Sequence, residues 1–184
     1  MLNSKQLKEY ITNWEYDPKG IQQVGIDLNV LHISLIGIKG SILKEKTILP
    51  KYESIVPDIT ILGETTDGEI LHSKSYNGWL LAPGMYDVIF AQGCKVPSNA
   101  FFLIRQRSSL LRVGAMIHSS IFDPGFETER IGTCLEVFSN EVFIEYGARI
   151  AQIYGHRCDE ISDENLYKGQ WQGDRQRDLE LPGV

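Results

Sequence analysis

Apolar residues spaced two apart, cut every few positions by turn-forming side chains, restrict this chain more than any other feature. Ile26, Leu28 and Val30 alternate with Asp27 and Asn29, the pattern of a strand with one buried face. Similar runs follow at Met85 to Ala91, Ala100 to Arg105, Gly132 to Phe138, Val142 to Glu145 and Arg149 to Tyr154. Pro83-Gly84, Pro97-Ser98-Asn99 and Tyr146-Gly147 punctuate them. Many short strands at regular spacing predict a mainly β fold, an antiparallel sandwich or barrel. One short helix opens the chain, with Ser4 as its cap and Leu7, Tyr10 and Ile11 on one face. Ser41 to Gly78, with turn signals at Gly63, Asp67-Gly68 and Asn77-Gly78, reads as an elaborated hairpin or an insertion.

A chain of 184 residues is expected to form one domain, here over 1–172, followed by a charged, mobile tail over 173–184. The formal net charge of -6 argues against a general DNA- or RNA-binding surface, because such surfaces neutralise phosphates with excess Lys and Arg. No apolar run is long enough to span a membrane. The start of the chain lacks a signal-like apolar region, and Cys94, Cys134 and Cys158 show no close pairing. A cytoplasmic protein with free thiols is the expectation. His32, His72, His118 and His156 are isolated, which leaves a zinc site without support.

Four segments carry polar residues that could do chemistry. In Val24-Gly25-Ile26-Asp27-Leu28, the glycine permits close approach, and an inward Asp27 could hold a ribose hydroxyl or a metal-bound water; a solvent-facing Asp27 is the alternative. Arg105 to Arg112 contains three arginines and two serines, with Ser108 suited to cap a helical turn that stops at Gly114. Such a cluster in an acidic chain points to phosphate binding. Asp123-Pro124-Gly125-Phe126 forms a tight turn holding a possible general base beside an aromatic ring. Glu136 shares a strand face with Cys134 and Phe138 and is expected to be semi-buried, the setting of a proton-shuttling carboxylate.

Taken in order, these segments resemble the dUTPase and dCTP deaminase superfamily. Gly25-Ile26-Asp27-Leu28, Arg107-Ser108-Ser109-Leu110, Asp123-Pro124-Gly125-Phe126 and Gly147-Ala148-Arg149-Ile150-Ala151-Gln152 are similar to its first four motifs. Tyr167-Lys168-Gly169-Gln170-Trp171-Gln172-Gly173 looks like the phosphate-closing arm of the deaminase-like branch, and the whole is most like the archaeal-type dUTPases with a deaminase-like scaffold. The resemblance implies a distorted jelly-roll, a homotrimer with shared active sites, and magnesium held mainly through the triphosphate, with Asp27 a possible ligand. It also implies that Phe126 and Asp27 face the base and sugar. The base would be read largely by backbone groups of a hairpin within Phe126 to Thr133.

Two chemistries compete within that resemblance. In a dUTP diphosphatase, Asp123 is the base, and Arg107, Ser108, Ser109, Arg112 and Gln152 bind the phosphates with Tyr167, Lys168 and Gln170 from the arm. In a dCTP deaminase, Glu136 passes protons to the cytosine ring. Asp123 and Glu136 together also allow a bifunctional enzyme. The thirteen positions from Asp123 to Glu136 exceed the deaminase spacing, and Phe126 stands where many dUTPases carry Tyr. The spacing weakens Glu136 as the catalytic acid-base and ranks hydrolysis of dUTP first, while Phe126 only removes one possible hydroxyl contact. A non-catalytic nucleotide-sensing trimer is the reading of another class.

Overall fold

The computed structural model describes residues 1–37, 39–45, 47–66 and 69–173, and within 61–73 the backbone alone. The 174–184 part of the expected tail and the Asp67-Gly68 turn lie outside these residues. Helix α1 (Ser4–Leu7) opens the chain. Its cap is Asn3 rather than Ser4. The Asn3 side chain accepts from the Gln6 N–H and the Gln6 side chain answers to the Asn3 N–H, so Ser4 is already the first helical residue. The helix is also shorter than its apolar spacing suggests, because Ile11 belongs to β1 (Ile11–Thr12).

Next come β2 (Ile26–Ile36), β3 (Ser41–Ile42), β4 (Thr47–Ile48), β5 (Tyr52–Ile55), β6 (Asp58–Thr66) and β7 (Glu69–Leu81). They are followed by β8 (Gly84–Phe90), β9 (Gly93–Lys95), β10 (Ala100–Gln106), helix α2 (Ser108–Arg112) and β11 (Ala115–His118). The last are β12 (Glu127–Thr128), β13 (Gly132–Val137), β14 (Val142–Glu145) and β15 (Arg149–Arg157).

A seven-stranded antiparallel sheet in the order β10-β15-β2-β8-β13-β11, with β5 added against β2, forms the body. Its edge strands β10 and β11 come back against each other, so the sheet is nearly closed, barrel-like. The long β6–β7 hairpin extends from it and is joined by β14, which matches the elaborated hairpin expected for that region. Two expected turns inside it are strand instead. Gly63 pairs with Ser73, and Asn77-Gly78 pair with Ile59 and Asp58. A side chain at Gly78 would run into the backbone of β14, so this glycine serves close strand approach rather than a turn.

The core holds Trp79, Phe90, Phe102, Leu135 and Ile153, all fully buried. The indole N–H of Trp79 donates to the Ile55 carbonyl at 2.7 Å, which ties the hairpin lobe to β5. Strand β2 departs from the one-sided burial its alternation predicts. Ile26 to Val30 are all buried, Asp27 and Asn29 included, because β2 runs between β15 and β8 while the Asp17–Gly20 turn covers its second face. Asn29 meets that environment with bonds to Gln92, Gly147 and Asp17.

Candidate active site

Two groups of the expected residues assemble, at opposite ends of β10. The first centres on Asp27, which is 1% exposed. Gly25 brings β2 tightly against β15, since a Cβ there would sit 2.7 Å from both Gln152 Cγ and the Ile153 carbonyl oxygen. That approach sets Asp27 beside Gln152, whose Nε2 donates to Asp27 Oδ1 at 3.2 Å. Gln22 Nε2 donates to Oδ2 at 3.1 Å. Arg107 Nε and Arg149 Nη1 each lie 3.6 Å from Oδ2. Burial raises the Asp27 pKa above the usual aspartate value, while Arg107, Gln152, Arg149 and Gln22 oppose the shift.

Arg107 sits in an extended conformation just before α2 and acts as its backbone cap. Ser108 is therefore the first helical residue, and no side chain caps the helix, contrary to the role expected of Ser108. The turn does end at Gly114, whose φ of +91° suits glycine. Ser108, Ser109 and Arg112 all face solvent on this short helix. Arg107 links the two: it faces Asp27 and immediately precedes the helix that carries these hydroxyls and the Arg112 guanidinium. Arg149 was not anticipated as a member. It reaches Asp17 Oδ2 at 3.4 Å and donates to the Lys19 carbonyl at 2.7 Å, fastening the covering turn to the sheet. Its signal lay in the Gly147 to Gln152 segment, three positions before Gln152.

The second group surrounds a cavity of about 490 Å³ lined by Asp123, Phe126, Thr128, Arg130, Thr133, His118, Cys134, Tyr167 and Trp171, among others. Asp123 is exposed on the cavity wall. The Pro124-Gly125 turn behind it closes with the Phe126 N–H on the Asp123 carbonyl at 3.0 Å, and Gly125 takes a φ of +88°. Phe126 is buried and stacks on Phe122, ring centroids 5.2 Å apart. The stretch from Phe126 to Thr133 supplies much of the wall. Thr128 is buried there with its hydroxyl donating to the Arg130 carbonyl at 2.8 Å.

The arm docks on this same turn within its own chain. Tyr167 N–H donates to the Pro124 carbonyl at 2.8 Å, and Gln172 Nε2 to the Gly125 carbonyl at 3.1 Å. Lys168 and Gln170 are exposed on it. Glu136 lies on the half-buried face of β13, its side chain 41% exposed, and pairs with His118 at 2.7 Å between Oε2 and Nε2. His118 lines the cavity, a contact that nothing in its isolated position in the sequence suggested.

Phe122 bridges to Phe102 near one end of β10, whereas Arg107 follows the other end. Five residues of extended chain separate them, roughly 16 Å at strand rise. Asp123 and the Arg107–Arg112 cluster of one chain therefore stand apart.

A family model described as dCTP deaminase-like matches residues 1–158. The chain belongs to the dCTP deaminase-like family. It is 34% identical over 174 residues to a protein of Methanocaldococcus jannaschii named deoxyuridine 5'-triphosphate nucleotidohydrolase, covering 92% of this chain and 99% of that one. A protein of Thermococcus kodakarensis named dCTP deaminase is 29% identical over 128 residues, covering 67% of this chain and 82% of the other. The fold is similar to that of the 2'-deoxycytidine 5'-triphosphate deaminase from Agrobacterium tumefaciens, with a TM-score of 0.50 at 14% identity over 77% of this chain and 41% of that one. Members of this family thus include proteins named for either chemistry.

Proposed function

We propose that this protein is a dUTP diphosphatase, converting dUTP to dUMP and pyrophosphate. The observation that carries the reading is the end-to-end relationship to the Methanocaldococcus jannaschii nucleotidohydrolase, joined to an exposed Asp123 on the cavity wall. Asp123 takes a proton from water as the water oxygen bonds to the α-phosphorus. The bond from that phosphorus to the bridging oxygen breaks, and pyrophosphate leaves with the electron pair. Arg107, Arg112, Ser108, Ser109 and Gln152 stabilise the charge that gathers on the phosphate oxygens.

The separation of Asp123 from the arginine cluster supports a homotrimer in which one subunit's cavity meets another's α2. Leu111, Val113 and Phe138, exposed by 49%, 53% and 53% around α2, supply apolar surface for that contact. The arm residues Tyr167, Lys168 and Gln170 close over the bound nucleotide. The thiols Cys94, Cys134 and Cys158, none of them in a disulfide, support a reducing, cytoplasmic setting.

Magnesium enters with the substrate. Among the described residues no three His, Cys, Asp or Glu side chains converge as a metal cage, and both oxygens of Asp27 are engaged by protein donors. The residues present do not fit a directly bound ion at Asp27. An ion carried in by the triphosphate would neutralise phosphate charge there.

The test supplies magnesium with dUTP or dCTP and follows pyrophosphate and ammonia separately. Pyrophosphate from dUTP without ammonia from dCTP is the expected result. Ammonia from dCTP overturns it in favour of Glu136 chemistry, and binding without turnover favours a sensor.

A further inference from the structure

The Asp27 carboxylate is the most enclosed charge in the candidate site, and its surroundings assign it a role. Oδ1 accepts from Gln152 Nε2, and Oδ2 accepts from Gln22 Nε2 while facing Arg107 Nε and Arg149 Nη1. Arg107 is held a second time, its Nη1 donating to the Arg149 carbonyl at 3.3 Å. Arg149 is itself anchored by Asp17 and the Lys19 carbonyl. We propose that Asp27 is a positioning residue for the triphosphate: it orients the Arg107 guanidinium and the Gln152 amide, and touches neither the sugar nor a metal ion.

The geometry favours this over direct contact. A guanidinium is a planar fork of five N–H donors, so pinning its inner edge fixes where the rest point. Arg107 keeps 37% of its side chain exposed while its Nε turns inward to Asp27. With Nε on Asp27 and one Nη1 hydrogen on the Arg149 carbonyl, the exposed part of the fork is left for a ligand, next in the chain to Ser108. Gln152 is treated alike, one amide hydrogen given to Asp27. A ribose hydroxyl or an ion would have to reach a side chain that is 1% exposed and ringed by Gln22, Arg107, Arg149 and Gln152.

This inference rests on the proposed reaction, because it concerns that substrate's phosphates, but binding tests it without turnover. Asp27→Asn is compared with the unaltered protein for affinity towards the α,β-imido analogue of dUTP and towards dUMP, and for the magnesium concentration that half-saturates analogue binding. The expected result is an analogue affinity lower by about 10- to 100-fold, the scale on which oriented ligands lose function when their support is removed. Affinity for dUMP should stay within about threefold and the magnesium midpoint should not move. Unchanged analogue affinity overturns the proposal. So does a shifted magnesium midpoint, which marks a metal ligand, or an equal loss for dUMP, which marks a sugar contact. Combined with Arg107→Ala, Asp27→Asn should add little further loss, and full additivity overturns the proposal as well. If Asp27→Asn does not fold, Gln22→Leu replaces it. A weaker loss for the analogue alone is then expected, and no loss overturns the idea. Should the unaltered protein bind the analogue yet leave dUTP intact, the reaction assignment fails while the comparison still decides the role of Asp27.

Discussion

Tyr167 meets Phe126 edge to face, ring centroids 5.5 Å apart and planes at 75°. The arm is therefore seated on the turn that carries Asp123, in the same chain. Phe126 and Tyr167 both line the cavity, so seating the arm shapes the wall against which a base or sugar would rest. Such aromatic pairs contribute about 0.5–1.5 kcal/mol beyond the area they bury.

Tyr167→Ala should loosen the arm without unfolding the barrel. Hydrogen exchange over 166–173 is expected to speed up by about two- to thirteenfold, the factor that 0.5–1.5 kcal/mol represents, while exchange in β2 and β15 stays unchanged. The KM for dUTP should rise. Equal exchange in the two proteins would show that the ring pair does not hold the arm.

Asp123→Asn keeps the shape of the side chain and removes the base. Hydrolysis of dUTP should fall by at least about a thousandfold, with nucleotide affinity within about tenfold of the original. Steady-state kinetics and calorimetry on the same preparation check both halves. Surviving activity would mean that Asp123 is not the base.

Glu136→Gln separates the two chemistries. If Glu136 serves only its bond to His118, dUTP hydrolysis should change by less than about threefold. A loss comparable to that of Asp123→Asn would place Glu136 in the reaction.

His32 gives the stability a pH dependence. Burial lowers its pKa below the ordinary histidine value, and Asp87 opposes the shift. The unfolded chain then binds protons that the folded one refuses, so stability is complete above the ordinary histidine value and falls as pH drops below it towards the folded value. His32→Gln, which can still bond Ser34, should flatten that part of the profile. Melting temperatures between about pH 5 and 8 test the sign.

The thiols should divide by burial. Cys94 is fully buried and its pKa is pushed up to about 12, chiefly by burial, so it should resist alkylation in the native protein. Cys134 and Cys158 are half-exposed and should react. Because Cys134 lines the cavity, the imido analogue of dUTP should protect it while leaving Cys158 reactive, a difference readable by mass spectrometry.

The β class and the strands at 84–90, 100–106, 132–137 and 142–145 were legible from alternation and turn residues alone. So were the Pro124-Gly125 turn and the glycine stop after α2. These depend on backbone preferences that act within a few residues. The Asp123 turn and the Arg107–Arg112 cluster could also be named from residue types in order.

What surrounds each of those residues was not legible. Alternation marks Asp27 as lying on the opposite face from Ile26 and Leu28; it carries no sign that a turn around Asp17 covers that face, or that Arg149 closes on it from more than a hundred residues away. His118 looked isolated, and pairs with Glu136 only because β11 lies against β13. The arm's seat on the Asp123 turn likewise arises from contacts some forty residues apart. Local pattern determined which segments are strands and turns. Register between distant strands, set by long-range packing, decided which charges are buried together and which remain at the cavity.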